Sequence, residues 1–528
     1  MKRRDFIAAL ATSPLVASCT TRPGHPSTDR SNNELMGAQR TGALLAVRKP
    51  VTLAATLLDP ALGAVAYVTD ITGDKQPNPT LVIERGGTLD ATLVNQLAQP
   101  TTIHWHGLSV PTAMDGDGSQ PVPPNASARY RFVVNNPGGL YWYHAHPHGL
   151  TAEQVYHGLA GLIVVRDDAD HALAAAIGVT LGESDFPLLL QDVSICNGMK
   201  VPYLPGRATG STEPMGNAIA VNGDINPSLK VTSGWVRLRM CNASNSRGLL
   251  LAYQRGESMI PMHILGGDGG LFATPVAIER AFLYPGERID VALDLRGTSV
   301  DEKVNAISLP FDTRNQLDPA SMKTAMRSHL PVLPAWPPLA AAALCATTVI
   351  DAVADGAALA LFSIVVNAGA ARAGELPATL RAAVTQDIGN VPVRQFKLDF
   401  AMEKGWTING YQWGDPLAVH RVARGSTEIW EIQNSPVSMP HPMHLHGFSF
   451  TVLSRRGLFG PAKALATFAE GRLATDLGAK DTVVIWPNER VRIAVDFSHS
   501  FGGEQRYMFH CHNLQHEDQM MAIPVVVT

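Results

Sequence analysis

Pro285-Gly-Glu-Arg-Ile-Asp-Val-Ala-Leu-Asp294 recurs as Pro487-Asn-Glu-Arg-Val-Arg-Ile-Ala-Val-Asp496. Each copy is a turn followed by apolar residues at alternate positions, the period of a half-buried β-strand. Near the front, Pro124-Asn-Ala-Ser-Ala-Arg-Tyr-Arg-Phe-Val-Val134 has the same shape and runs toward a His-X-His, as the copy near the C-terminus does. A unit used three times in 528 residues predicts three related β-domains, in keeping with a usual domain size of roughly 100 to 200 residues. Short alternating runs such as Leu81 to Glu84, Val236 to Met240 and Val483 to Trp486 suit β-sandwiches.

Working outward, 46 glycines and 37 prolines favour many short elements joined by turns, and the chain is expected to be all-β. The domains are expected at 45–170, 178–345 and 379–528. One boundary falls near Asp168 to Gly178, after the strand Leu162 to Val165. The other falls in the Pro- and Ala-rich stretch from Leu330 to Ala378, where 346–378 should form a connecting segment, a loop with a buried helix. Hydrophobic residues make up 45% and charged residues 17%, the balance of a core-forming chain. A net charge of −4, with no basic stretch carrying interleaved aromatics, excludes nucleic acid as a partner.

Residues 1–19 read as an export signal and 20–44 as a linker. Arg3 and Arg4 precede an apolar stretch, Phe6 to Ser18, too short to span a bilayer stably. The adjacent arginines with Phe6 resemble a twin-arginine signal, with a plain secretory signal as the alternative. Val16-Ala17-Ser18-Cys19 resembles a lipobox, which would make Cys19 a lipid anchor; the alternative is simple cleavage. Either way the expected location is periplasmic or membrane-anchored, in a bacterium. The chain is expected to act as a monomer. An exported compartment would also permit a bridge between Cys196 and Cys241.

Ten of the eighteen histidines sit in four clusters: His104-Trp-His106, His144-Ala-His146, His441-Pro-Met-His444-Leu-His446, and His510-Cys-His512-Asn-Leu-Gln-His516. Residues two apart on a strand share a face, so each His-X-His aims two imidazoles the same way. In His510-Cys511-His512 the thiolate points to the opposite face, and one tripeptide can serve two metal sites. Cys511, His516 and His441 make a two-histidine, one-thiolate set, with Met521 placed to be a long axial ligand and Met520 as its competitor. Soft thiolate, imidazole and weak thioether select copper in its electron-transfer form. Structural zinc takes four ligands and could not use so many.

With these four motifs in this order, the sequence resembles the multicopper oxidase family, which includes laccases, bilirubin oxidases and cuprous oxidases. The resemblance implies three consecutive cupredoxin-like Greek-key β-sandwiches and four copper ions. One type 1 copper would be held by His441, Cys511, His516 and Met521. One type 2 copper would be held by His104 and His444, and two type 3 coppers by His106, His144, His146, His446, His510 and His512. The middle domain, which has no His-X-His, matches the family's copper-free spacer. The resemblance also implies proton-supplying carboxyls at Asp115, nine residues after His106, and at Glu517, beside His516.

Asp117 is expected to be a loop residue, His148 and His157 supporting or surface residues, His263 and His499 structural, and Trp105 and Trp142 packing around the cluster. The implied activity is one-electron oxidation of a small-molecule reductant at the type 1 copper, with His441 as its electron-accepting edge. Dioxygen, the second partner, would be reduced by four electrons to water. The sixteen methionines are dispersed, with none between Leu339 and Ala378, which weakens a Cu(I)-oxidase reading. Phenols and aromatic amines are the favoured reductants, as for a laccase. Metal ions, Cu(I) or Mn(II), are the alternative; Met439 and Met443 flank His441 and could serve Cu(I), although Met443 lies within the copper motif and could simply pack.

Overall fold

Asn95, Asn242 and Asn434 end the strands Thr88–Asn95, Trp235–Asn242 and Thr427–Asn434. Each side-chain amide donates to two carbonyls: Asn95 to Gln99 and Val122, Asn242 to Arg247 and Leu283, and Asn434 to Met439 and Ile485, all at 2.8–3.0 Å. Each backbone N–H donates into the repeated turn, to the carbonyls of Ala126, Glu287 and Glu489. The turns place Asn125, Gly286 and Asn488 in the left-handed region, at φ 61°, 83° and 62°, where glycine and asparagine are favoured. In the last two copies the glutamate closes the turn, with Glu287 accepting from Tyr284 N and Glu489 from Trp486 N, both at 2.8 Å. The sequence repeat is therefore one structural unit used three times.

The computed structural model describes residues 42–60, 62–71, 74–196, 199–203, 215–313, 353–383, 388–389 and 391–528. These form three successive two-sheet sandwiches of four and five, seven and six, and six and five strands, plus the short hairpin Ile195–Cys196 and Met199–Lys200. In each, a parallel pair joins strands that are not neighbours in the chain: Val51–Asp59 with Thr88–Asn95, Asp185–Val193 with Trp235–Asn242, and Val393–Ala401 with Thr427–Asn434. Each sandwich has its own apolar core, around Leu53 and Trp105, Leu238 and Val291, and Trp430 and Phe509.

The boundary stretch Asp168–Ile177 is an α-helix, capped by the Asp167 carboxylate accepting from Asp170 N and ended by Gly178 in the left-handed conformation. Two expectations are corrected. Leu359–Asn367 is a strand and not a buried helix; it lies between Ser228–Thr232 and Lys303–Ser308, so the second sandwich continues past residue 345. Cys241 is a buried free thiol, whereas Cys196 is disulfide-bonded, so the two are not bridged to each other. The export signal, Cys19 and the run Leu339 to Ile350 lie outside the described residues. Among the described residues, no helix is long and apolar enough to cross a membrane.

The first and third domains meet at their histidines. Asp518, ending the short helix Leu514–Asp518, accepts from the N–H groups of Thr151 and Ala152 at 2.8 and 3.0 Å, capping the helix Thr151–His157 of the first domain. The N–H of Leu514 donates to the Asn245 carbonyl of the second domain at 2.9 Å.

Candidate metal centre

Two strand pairs carry the imidazoles. In the first domain His104 and His144 exchange backbone hydrogen bonds of 2.8 and 3.1 Å. In the third, His441–Leu445 pairs antiparallel with Gln505–Cys511, setting His444 opposite His510 and Met443 opposite Cys511. The alternation of these strands aims His104, His106, His144 and His146 at His444, His446, His510 and His512. His104 stacks on His446 with ring centroids 3.9 Å apart, and His106 on His444 at 3.7 Å. All eight are at most 1% exposed.

The outer nitrogens of six of these rings are occupied. Nδ1 of His104, His144, His444 and His510 donates to the carbonyls of Asp115, Ala145, Asp481 and Cys511 at 2.9–3.1 Å. Nδ1 of His446 donates to Asp115 Oδ2 at 2.7 Å. His106 is turned the other way, with Nε2 donating to Asp481 Oδ1 at 3.2 Å. A ring that donates from one nitrogen presents the lone pair of the other, which is how a protein prepares an imidazole for a metal. The inward nitrogens, Nε2 of His104, His144 and His444 and Nδ1 of His106, are buried without a hydrogen-bond partner, as are both nitrogens of His146 and of His512. Burial holds His106, His144, His146, His446, His510 and His512 well below the ordinary imidazole pKa, and neighbouring imidazoles add to this for each of them. Neutral rings with unsatisfied inward lone pairs fit a cationic metal.

The ligand-sized groupings cut across the expected division, because His104 is grouped with His106 and His144 as well as with His444 and His446. His146, His446 and His510 converge, as do His104, His106 and His144, and His104, His444 and His446. His512 joins His106 and His144, at centroid distances of 4.9 and 5.4 Å.

The thiolate set is separate and lies on the other face. Cys511 Sγ is 3.4 Å from His441 Nδ1 and 3.5 Å from His516 Nδ1. Met521 is fully buried in the same core cluster as Cys511, and its carbonyl accepts from Cys511 N at 3.1 Å. Met520 is half-buried, at φ 67°, so the register favours Met521. His441, expected to be the electron-accepting edge, is fully buried, with Nε2 3.0 Å from Ser438 Oγ and Trp406 packed across it at 4.7 Å.

Asp115 lies between the domains, its carbonyl on His104 and its carboxylate on His446, while Oδ1 is buried without a hydrogen bond. Glu517 reaches the opposite side, Oε1 3.4 Å from His146 Nε2 and Oε2 3.4 Å from His510 Nδ1. Burial, reinforced by Asp518, raises its pKa well above the usual carboxylate range. Asp117 caps its own loop through Ser119, and its carbonyl meets His148 Nε2 at 2.9 Å. His157 is half-buried beside Tyr156 and Tyr203, outside the cluster. Trp142 stacks on His144 at 4.1 Å, whereas Trp105 packs in the first core. His263 packs on Trp235, and His499 on Phe448 and Phe501.

The sequence reading missed Asp481, Arg288, Ser438 and Thr482, whose Oγ1 lies 3.3 Å from His106 Nε2 and 3.2 Å from His444 Nδ1. Asp481 touches His106 and His444 and is held by Arg288, whose guanidinium keeps the carboxyl well below its ordinary pKa although burial opposes this. Its sequence signal was slight, an acidic residue between Lys480 and a buried strand. Arg288 stood within the repeat and was read only as part of a turn.

Multicopper oxidase family models match residues 62–170 and 388–528. The structure of a variant of the McoA multicopper oxidase from Aquifex aeolicus is 30% identical, covers 93% of this chain and 98% of its own, and superposes with a TM-score of 0.76. This chain belongs to the multicopper oxidase family. Among curated relatives, Staphylococcus haemolyticus multicopper oxidase mco is 28% identical over 85% of this chain and 82% of its own. The Salmonella typhimurium cell division protein FtsP is also 28% identical, over 84% and 81%. The sandwiches are cupredoxin-like, and family membership implies copper as the metal that the imidazoles receive.

Proposed function

We propose that this multicopper oxidase couples one-electron oxidation of a small phenolic or aromatic-amine reductant to the four-electron reduction of dioxygen to water, using four copper ions. The observation that carries this reading is the pairing of a complete thiolate set with eight converged imidazoles on opposite faces of one strand, joined through Cys511 by its neighbours His510 and His512. His441, Cys511, His516 and Met521 would hold one copper, His104 and His444 a second, and the trios His106, His144, His512 and His146, His446, His510 the other two. Copper so bound would take electrons singly from the reductant and deliver them to dioxygen.

The chain's own residues do the rest. Carbonyls and carboxylates fix the tautomers of six of the eight rings, and burial excludes bulk water. Asp115 and Glu517, on opposite sides of the cluster, are placed to carry protons to oxygen: each has a buried oxygen without a hydrogen bond. At the other end, Ser435-Pro-Val-Ser-Met-Pro440, over His441, carries no acidic residue and exposes Val437, which favours an aromatic reductant over a cation. Met443 is fully buried in the core, so Met439 is the thioether left in that segment to meet Cu(I).

The FtsP relative raises a second reading, a division-associated protein; the intact ligand sets favour the oxidase. Oxygen uptake measured side by side with a substituted phenol, Cu(I) and Mn(II) tests this. Uptake of one dioxygen per four phenols supports the proposal, faster uptake with either metal ion moves the substrate, and no uptake by copper-loaded protein sinks the oxidase.

A further inference from the structure

Building on the copper reading above, we infer that the second domain is a working part of the cluster site and not only a spacer: its Arg288 positions the Asp481 carboxylate that aims His106 beside His444. The repeat supplies an internal comparison. Arg288 and Arg490 occupy the same position of the same turn, each opening its strand, Arg288–Asp294 or Arg490–Asp496. Arg490 is exposed, 3.4 Å from Glu431. Arg288 is only 2% exposed and touches all three domains.

From the second domain, the carbonyls of Gly286 and Asp268 accept from its Nη1 and Nη2 at 2.9 and 3.0 Å. From the first, the Leu140 carbonyl accepts from Nε at 3.2 Å, on the strand Gly139–His144 that ends at a cluster ligand. From the third, both Asp481 oxygens take the guanidinium fork, Oδ1 on Nη1 at 2.7 Å and Oδ2 on Nη2. A carboxylate held at both oxygens cannot rotate. Its Oδ1 therefore stays on His106 Nε2 at 3.2 Å and 3.5 Å from His444 Nδ1. This explains why His106 alone among the hydrogen-bonded rings presents Nδ1 inward.

Two glycines make room for this contact. A Cβ on Gly107 would fall 2.5 Å from Arg288 Nη2 and 2.7 Å from Asp481 Oδ2, and a Cβ on Gly286 would fall 3.0 Å from the His512 ring. The turn of the second domain thus packs directly on one ligand while it orients another.

Copper per chain and copper affinity against a competing chelator, with the visible band of the thiolate copper recorded in the same samples, test the inference. Arg288→Leu and Arg288→Lys, which keeps the charge but loses the fork, should retain one copper and an unchanged visible band. Their cluster copper should bind roughly 10- to 100-fold more weakly, the usual effect of removing a residue that orients a ligand. Asp481→Asn should lose a similar factor, and the double variant Arg288→Leu/Asp481→Asn no more than either single, since one residue acts through the other. Wild-type cluster affinity in Arg288→Lys would overturn the inference, and so would multiplicative losses in the double variant or equal loss of the thiolate copper. Should Arg288→Leu fail to fold, Arg288→Lys and Asp481→Asn carry the measurement. A wild-type protein that binds no cluster copper would instead overturn the copper reading on which the inference rests.

Discussion

His446 donates from Nδ1 to Asp115 Oδ2 at 2.7 Å, a hydrogen bond between residues 331 positions apart that closes the first domain onto the third. The same aspartate accepts from His104 through its carbonyl at 3.0 Å. Asp115 therefore orients two imidazoles as well as offering an oxygen without a hydrogen bond beside the cluster.

These two duties can be separated by substitution. Asp115→Asn keeps an oxygen for His446 but removes the titrating carboxyl. Anaerobic reduction of the thiolate copper should stay fast, and reoxidation by dioxygen should slow by roughly 10² to 10⁴, the range for a positioned acid. Stopped-flow measurement of the two half-reactions checks this. Slow reduction with normal reoxidation would make Asp115 a purely structural residue.

The ligand sets lie on opposite faces of one strand, so their copper should be lost independently. Copper-loaded protein should be blue through the Cys511 thiolate, and Cys511→Ser should lose the intense visible band while the cluster keeps its copper. Absorption spectra with metal analysis give the answer. A visible band that survives the substitution would move the thiolate assignment elsewhere.

Register distinguishes the two methionines. Met521 is buried with Cys511, whereas Met520 lies half-buried at φ 67°. A non-coordinating side chain at the axial position should destabilise the oxidised copper relative to the reduced one. Redox titration should find a higher potential in Met521→Leu and a nearly unchanged one in Met520→Leu. The opposite pattern would make Met520 the ligand.

Lys200 offers a test away from copper. Its ammonium is buried, donating to the Tyr156 carbonyl and lying 4.7 Å from that ring, and burial lowers its pKa from 10.5 to about 7. Between those values the unfolded chain holds the proton more tightly than the folded one, so this group's contribution to stability rises with pH across that window. Lys200→Met should be more stable than wild type at pH 7 relative to pH 9, because it lacks that dependence. Denaturant unfolding at both pH values measures the difference, and a gap that does not change with pH refutes it.

The strand alternation, the three-fold repeat and the histidine groupings were legible because each depends on residues only a few positions apart. In His510-Cys511-His512, a period of two already sends thiol and imidazoles to opposite faces. The Asp168–Ile177 helix is local too, with Asp167 and Gly178 as its caps, in the stretch where a domain boundary is expected. Leu359–Asn367 became a strand because two strands of the second sandwich left a place between them, which no local pattern announces.

The same contrast holds at the metal centre. Arg288 and Arg490 share the residues Glu-Arg in matching turns, yet one is buried against Asp481, 193 residues away, and the other faces solvent. Likewise His441 was recognisable as a ligand from spacing, but its burial under Ser438 and Trp406 was not. Side-chain direction is set by the chain's own periodicity. Burial and partner choice are set by which domain faces close on one another, so the ligands were written in short spacings while the residues that aim them emerged only when three domains met.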